Sequence, residues 1–115
     1  MQNRYKLPDH VKGLALAVIK SYEAYKREIQ TVGNEPLNNS CKRQFVEAVE
    51  KSFFELSFSG DPVTAYKIKQ ALYSSCKKGR YFNFDYAGID TISKTTFYRM
   101  RNHLLYLIAQ KMEFL

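Results

Sequence analysis

Six side chains of the types that bond to nucleic acid lie close together in this sequence: Lys94, Thr95, Tyr98, Arg99, Arg101 and Asn102. Arg and Lys pair with phosphate oxygens and guanine edges, Asn pairs with adenine, and Thr and Tyr hydroxyls bond to phosphates or bases. Phe97, Met100 and Leu104 recur among them at the spacing that turns one helix face inward. We therefore expect a basic helix that presents the six side chains outward. The plainer alternative is an amphipathic helix whose basic face is only solvated.

The residues ahead of this helix predict a helix-turn-helix. The segment Phe84–Met112 has the pattern of a short helix, a tight turn and a long basic helix. Ala87 supplies the small residue needed where the second helix crosses the first, and the turn position falls at Thr91. Ile92 would fill the apolar space beneath the turn, and Ser93 can cap the second helix. Such a unit docks on DNA through its second helix.

Residues 92–101, Ile-Ser-Lys-Thr-Thr-Phe-Tyr-Arg-Met-Arg, resemble the recognition helix of sigma-like phage and prophage transcriptional regulators of the ArpU and RinA type. The resemblance extends over Phe84–Met112 and is only architectural before it. It implies a cytoplasmic protein, encoded by a phage or prophage, that binds double-stranded DNA and controls transcription. It also implies contacts in the DNA groove from the basic-helix residues Lys94, Thr95, Tyr98, Arg99 and Arg101.

Composition and charge agree with an anionic partner. The chain has 115 residues, of which 45% are hydrophobic, so residues 1–115 fit one compact domain. Lys and Arg number 18 against 11 Asp and Glu, a net charge of +7. From Lys67 to Leu115 there are nine basic residues and three acidic ones, so nearly all the excess lies in the half that holds the basic helix.

Helical periodicity predicts an all-α fold, with a helical scaffold over 8–78 followed by the helix-turn-helix at 84–113. The scaffold divides into three helices, at about 8–32, from Asn39 or Ser40 to about 57, and at about 62–77. Gly33 should end the first and open a loop over 33–39. Asp61 and Pro62 are start signals for the third helix, and Gly79 is its stop signal.

The third helix should turn Val63, Tyr66, Leu72 and Cys76 inward. Its short link to the second helix predicts an antiparallel hairpin, which would bring Cys41 near Cys76. A redox-sensitive pair is one interpretation. The simpler one is two buried side chains, because free Cys behaves as a small hydrophobic residue.

Two further segments should complete the packing. Arg80–Phe84 is aromatic and predicts a packed connector whose aromatic side chains fix the helix-turn-helix to the hairpin of the second and third helices. Leu104–Ala109 is apolar on almost every face of a helix, and such a helix needs partners on all sides. It would insert between the first two helices, form a subunit interface, or contribute to both. We expect both, and therefore a homodimer.

The sequence lacks the motifs of common enzymes. It contains no phosphate-binding glycine loop, no His-Glu-x-x-His, no Cys-x-x-Cys and no serine elbow, so we expect no enzyme and no cofactor. The two Cys and two His are too few and too scattered to predict a metal site. His103 fits a phosphate contact or a surface group better than a catalytic base. No apolar run approaches the roughly 20 residues of a membrane helix, which predicts a soluble, intracellular protein without a membrane partner.

Two functional hypotheses remain. The first is a sequence-specific regulator of transcription that binds double-stranded DNA. The second is a small phage-type helical protein that binds another protein, as an inhibitor or as an adaptor on RNA polymerase. Both use the basic face for an acidic partner, and only DNA requires a steep dependence of affinity on salt.

Overall fold

The computed structural model of the chain describes residues 6–32, 36–56 and 61–115. These ranges contain four α-helices and two 3-10 turns but no strand, so the predicted all-α fold is confirmed. The helices are α1 (Asp9–Val32), α2 (Pro36–Glu55), α3 (Pro62–Lys78) and α4 (Lys94–Lys111), and the turns between α3 and α4 are Gly79–Tyr81 and Phe84–Tyr86.

The ends of α3 follow the predicted signals. The Thr64 backbone N–H donates a hydrogen bond of 2.7 Å to Asp61 Oδ1, which caps the helix, and Pro62 occupies its first turn. At the other end Gly79 takes a φ of +58° and donates its N–H to the Ser75 carbonyl. A positive φ is cheap for Gly, so the sequence signal and the conformation agree.

The predicted start of α2 is wrong. The helix begins at Pro36 and not after Asn39 or Ser40. Proline suits the first position of a helix because its φ is already helical and its missing N–H would have no partner there. The predicted stop at Gly33 lies outside the described residues, as does Ser57, near which α2 was expected to end.

Helix α1 is the central helix of the scaffold. Its buried residues, Val11, Ala15, Val18 and Ile19, recur at intervals of three and four and form one stripe. The other three helices all pack against α1, and α2 does so most extensively. The core is therefore one cluster of side chains to which all four helices contribute.

The predicted hairpin of α2 and α3 is wrong. Helix α2 packs along α1 and α4, and α3 packs on the same two helices, so α2 and α3 do not pair along their length. The two free cysteines accordingly differ, because Cys41 is exposed and Cys76 is buried. The expectation of two buried thiols holds only for Cys76, whose pKa is raised by burial.

Only the second part of α3 packs into the core. Leu72 and Cys76 are buried as predicted, together with Ile68 and Ala71. Val63 and Tyr66, which were expected on the same inward stripe, are 66% and 63% exposed. The apolar stripe continues past the point where α3 meets its neighbours, so periodicity alone overestimates the buried length.

The C-terminal half of α4 fills the centre of the fold. Leu104, Leu105 and Ile108 have no exposed surface, and Leu107 retains only 8%. Contacts with α1 and α2 account for this burial, as predicted for a helix inserted between them. Since one subunit already covers these side chains, the apolar run no longer argues for the predicted homodimer.

Candidate nucleic-acid interface

Helix α4 changes character along its length. Its C-terminal half is enclosed by the scaffold, whereas Lys94, Thr95, Thr96 and Arg99 in the N-terminal half are exposed. Phe97 lies among these exposed residues yet has no exposed surface. The helix therefore enters the core at Phe97 and presents its first two turns at the surface.

The N-terminus of α4 is capped as predicted. The Thr96 backbone N–H donates a hydrogen bond of 3.1 Å to Ser93 Oγ, and Ser93 has the extended backbone of a capping residue. One orphan donor of the first turn is thereby satisfied. Lys94 follows directly, so a cationic side chain begins the helix at its surface end.

Aromatic stacking fixes this end of α4 to the connector. The Phe82 ring stacks on Phe97 with centroids 5.6 Å apart and an interplanar angle of 10°. The Phe84 ring also packs against Phe97, at an interplanar angle of 53° and with centroids 5.1 Å apart. Such pairs stabilise a contact by about 0.5–1.5 kcal/mol beyond their burial. Phe82 and Phe84 therefore pack on α4 as predicted for the connector, although the hairpin to which they were expected to fix it does not form, and Tyr81 is 77% exposed.

Of the six predicted contact residues, three have exposed side chains: Lys94, Thr95 and Arg99. The Tyr98 ring is half-buried and meets Phe97 edge-on at 5.2 Å between centroids. Arg101 Nε donates a hydrogen bond of 3.1 Å to Ser75 Oγ on α3. Asn102 is also half-buried. The outward surface is consequently smaller than the sequence predicts, because Tyr98 and Arg101 support the packing of α4.

The first helix of the predicted helix-turn-helix is not present. In its place is the three-residue 3-10 turn Phe84–Tyr86, followed by a bend in which Gly88 has a φ of +74°. Asn83 caps the 3-10 turn by accepting from the Asp85 backbone N–H, and Gly88 redirects the chain two residues after its end. The residue with a positive φ in this segment is Gly88 and not Thr91, where the turn was predicted. Ile92 packs against the core, as predicted.

Comparisons with protein-family models, with curated proteins and with solved structures find no match to this chain. The family resemblance therefore stays a prediction from the sequence. The electrostatics of the described residues give independent information on the same surface.

Away from the first two turns of α4, several lysines form ion pairs with glutamates. Each of the four pairs found among the described residues joins two different helices: Lys26 with Glu50, Lys42 with Glu28, Lys77 with Glu23, and Lys111 with Glu55. The acids all belong to α1 or α2. Within the described ranges, neither Lys94 nor Arg99 takes part in an ion pair, so their charges are available to an outside anion.

Sequence reasoning missed a second basic surface, formed by α3 and the connector. One face of α3 and the connector enclose an open groove of about 670 Å³, which we call the tyrosine groove. Its principal lining residues are Tyr66, Lys67, Lys78, Tyr81, Asn83 and Tyr86. The sequence gives no clear signal for this groove, because Tyr66 fits the apolar stripe of α3 and only the structure shows that its ring is exposed.

His103 is less suited to phosphate contact than expected. The side chain is half-buried, and burial lowers its pKa, although the negative charge of Glu55 opposes part of that shift. A lowered pKa favours the neutral imidazole near neutral pH. His103 therefore adds little positive charge to α4.

The described residues contain no group of three or more His, Cys, Asp or Glu side chains arranged to hold a metal ion. None of their helices combines the length and the hydropathy needed to cross a bilayer.

Proposed function

We propose that this chain is a cytoplasmic regulator of transcription that binds double-stranded DNA through the first two turns of α4. The observation that carries the proposal is the exposure of Lys94, Thr95 and Arg99 on a helix whose other half is fixed in the core. A DNA-reading helix must present such side chains from a rigid support.

The dimensions and chemistry of this surface fit a DNA groove. An α-helix with its side chains is about 10–12 Å across, and the major groove of B-DNA is about 12 Å wide. Lys94 and Arg99 are suited to phosphate oxygens or guanine edges, and Thr95 to a base edge or a thymine methyl group. Because Lys94 and Arg99 form no ion pair with the described residues, they can bind phosphates without first breaking one.

Binding to another protein, such as RNA polymerase, is the second candidate. The observation that favours it is Phe54, an aromatic side chain on α2 that is 89% exposed. A lone exposed ring is common on protein surfaces, however, and it lies outside the basic half of the chain. DNA binding remains the better supported proposal.

The test measures the affinity for duplex genomic fragments at about 50 and 200 mM salt, because each neutralised phosphate adds close to one unit to the log–log slope. The variant Lys94→Ala/Arg99→Ala should lose affinity and lower the slope by about two. Fragments selected by the unmodified protein would then define the operator.

Lys51→Ala is the matched control. Lys51 is exposed on α2 beside Gln110 and Lys111, near the opposite end of α4. Sixteen residues separate Lys94 from Gln110, or about 24 Å at 1.5 Å per residue. The control should bind DNA as the unmodified protein does. Equal losses in both variants, or an affinity independent of salt, would contradict the proposal.

A further inference from the structure

The tyrosine groove exposes three aromatic rings on one concave surface. Tyr66 is 63% exposed, Tyr81 is 77% exposed and Tyr86 is 88% exposed. Phe82 also lines the groove but is half-buried, because it stacks on Phe97. Rings that served packing would be covered as Phe82 is, so the three tyrosines are available to a ligand.

One of these rings is held in place by a neighbouring cation. The Arg80 guanidinium lies over the Tyr81 ring, with its carbon 5.1 Å from the ring centroid. Arg80 Nη2 also donates a hydrogen bond of 3.0 Å to the Tyr81 hydroxyl. The ring is therefore oriented before a ligand arrives, which lowers the entropy lost on binding.

The groove is positively charged. Lys67 and Lys78 line it, and none of the described residues that line it carries a carboxylate. Neither lysine takes part in an ion pair within the part of the chain that the structure describes. The α3 wall from Tyr66 to Lys78 is about 18 Å long at 1.5 Å per residue, which leaves room for an extended ligand.

We propose that the tyrosine groove binds single-stranded nucleic acid, by stacking bases on its tyrosines and pairing phosphates with Lys67 and Lys78. Aromatic rings beside a cationic track are the general means of holding an unpaired strand. Duplex DNA does not fit this description, because its base faces are already stacked inside the helix. The proposal goes beyond duplex binding by α4 and does not depend on it.

The experiment uses the full chain and a fluorescent ten-nucleotide oligodeoxythymidine, with binding followed by anisotropy. Tyr86→Leu and Tyr66→Leu should each weaken binding by roughly 5- to 150-fold, the effect of removing one stacked ring. Tyr86→Phe keeps the ring and should bind like the unmodified protein. Both tyrosines are largely exposed, so the leucine variants should fold normally, and circular dichroism will verify this.

Phe54→Leu is the matched control, since it removes an exposed ring on α2 that does not line the groove. It should leave binding unchanged. Inorganic polyphosphate and poly-glutamate of similar charge serve as competitors without bases, and both should compete poorly. Equal competition by either, or leucine variants that bind as well as the unmodified protein, would overturn the proposal.

The outcome is separable from that of the proposed function. The Tyr→Leu variants should keep their affinity for duplex DNA, and Lys94→Ala/Arg99→Ala should keep its affinity for the single strand. A protein that binds only the oligonucleotide would support the groove and contradict the role of α4. A protein that binds only duplex DNA would support the role of α4 and contradict the proposal for the groove.

Discussion

Arg101 on α4 and Ser75 on α3 are joined by a hydrogen bond of 3.1 Å from Arg101 Nε to Ser75 Oγ. Ser75 is buried, and its hydroxyl in turn donates to the Leu72 carbonyl at 3.0 Å. The bond links the two helices that flank the connector. A residue expected to contact DNA thus has a structural partner inside the protein.

Arg101→Ala should therefore lower the free energy of unfolding, by about 1–2 kcal/mol, because it removes a charge-assisted hydrogen bond to a buried group. Arg99→Ala, two residues earlier and exposed, should change it by less than about 0.5 kcal/mol. Urea unfolding of both variants measures the difference. Equal stabilities would show that the Arg101 bond contributes nothing.

Leu107→Glu should unfold the protein. Leu107 is 8% exposed within one subunit, and a carboxylate there would lose its hydration without a cationic partner among the core residues. A loss of several kcal/mol is large against the roughly 5–15 kcal/mol that stabilises a domain. Circular dichroism and size-exclusion chromatography provide the readout. A well-folded monomer obtained from a dimeric parent would instead place Leu107 at a subunit contact.

Ser93→Ala should destabilise the fold by about 1 kcal/mol through loss of the α4 cap, whereas Ser93→Asp should retain most of the stability. Ser21→Ala is the matched control. The Ser21 hydroxyl bonds to the Ala17 carbonyl within α1, a bond that contributes little to a helix. Thermal unfolding should separate the two alanine variants by a few degrees. Equal unfolding temperatures for the two alanine variants would show that the Ser93 cap does not stabilise α4.

Tyr73 should make stability depend on alkaline pH. Burial raises its pKa to about 12, with a further contribution from the negative charge of Glu23, although the Glu23 backbone offsets part of the rise. The protonated phenol therefore favours folding. This contribution is complete below the free phenol's pKa of 10.0 and is lost as the pH rises toward about 12.

The measurement compares the unmodified protein with Tyr73→Phe across this alkaline range. The Tyr73 hydroxyl makes no hydrogen bond of good geometry among the described residues, so at neutral pH the substitution should be neutral or slightly stabilising. The unmodified protein should then lose stability relative to Tyr73→Phe as the pH rises. Parallel pH profiles would show that Tyr73 titrates as a free phenol does.

The sequence predicts those features of the fold that depend on neighbouring residues. Asp61 before Pro62, Gly79 after Lys78, and Ser93 before Lys94 each mark a helix end through local backbone chemistry, and the structure has all three. Phe97 and Leu104 are buried as their spacing predicts. These features require no knowledge of which helices touch.

The remaining features depend on tertiary contacts that a single sequence does not encode locally. Tyr66 fits an apolar stripe, but the stripe extends beyond the packed part of α3. The short link between α2 and α3 suggests a hairpin, yet both helices pack more closely on α1 and α4 than on each other. Arg101 has the chemistry of a DNA contact until Ser75 is known to lie beside it. For the candidate site, the sequence therefore predicts which types of residue are present better than which of their side chains are exposed and free to contact a ligand.

The position of α4 in the chain affects how the protein is made. During synthesis α1, α2 and α3 leave the ribosome before the helix that supplies Leu104, Leu105 and Ile108 to their common core. Until that helix emerges, the apolar stripe of the nascent α1 lacks one of its partners and is open to chaperones or aggregation. Productive folding of the nascent chain therefore waits for the same helix that is proposed to meet DNA.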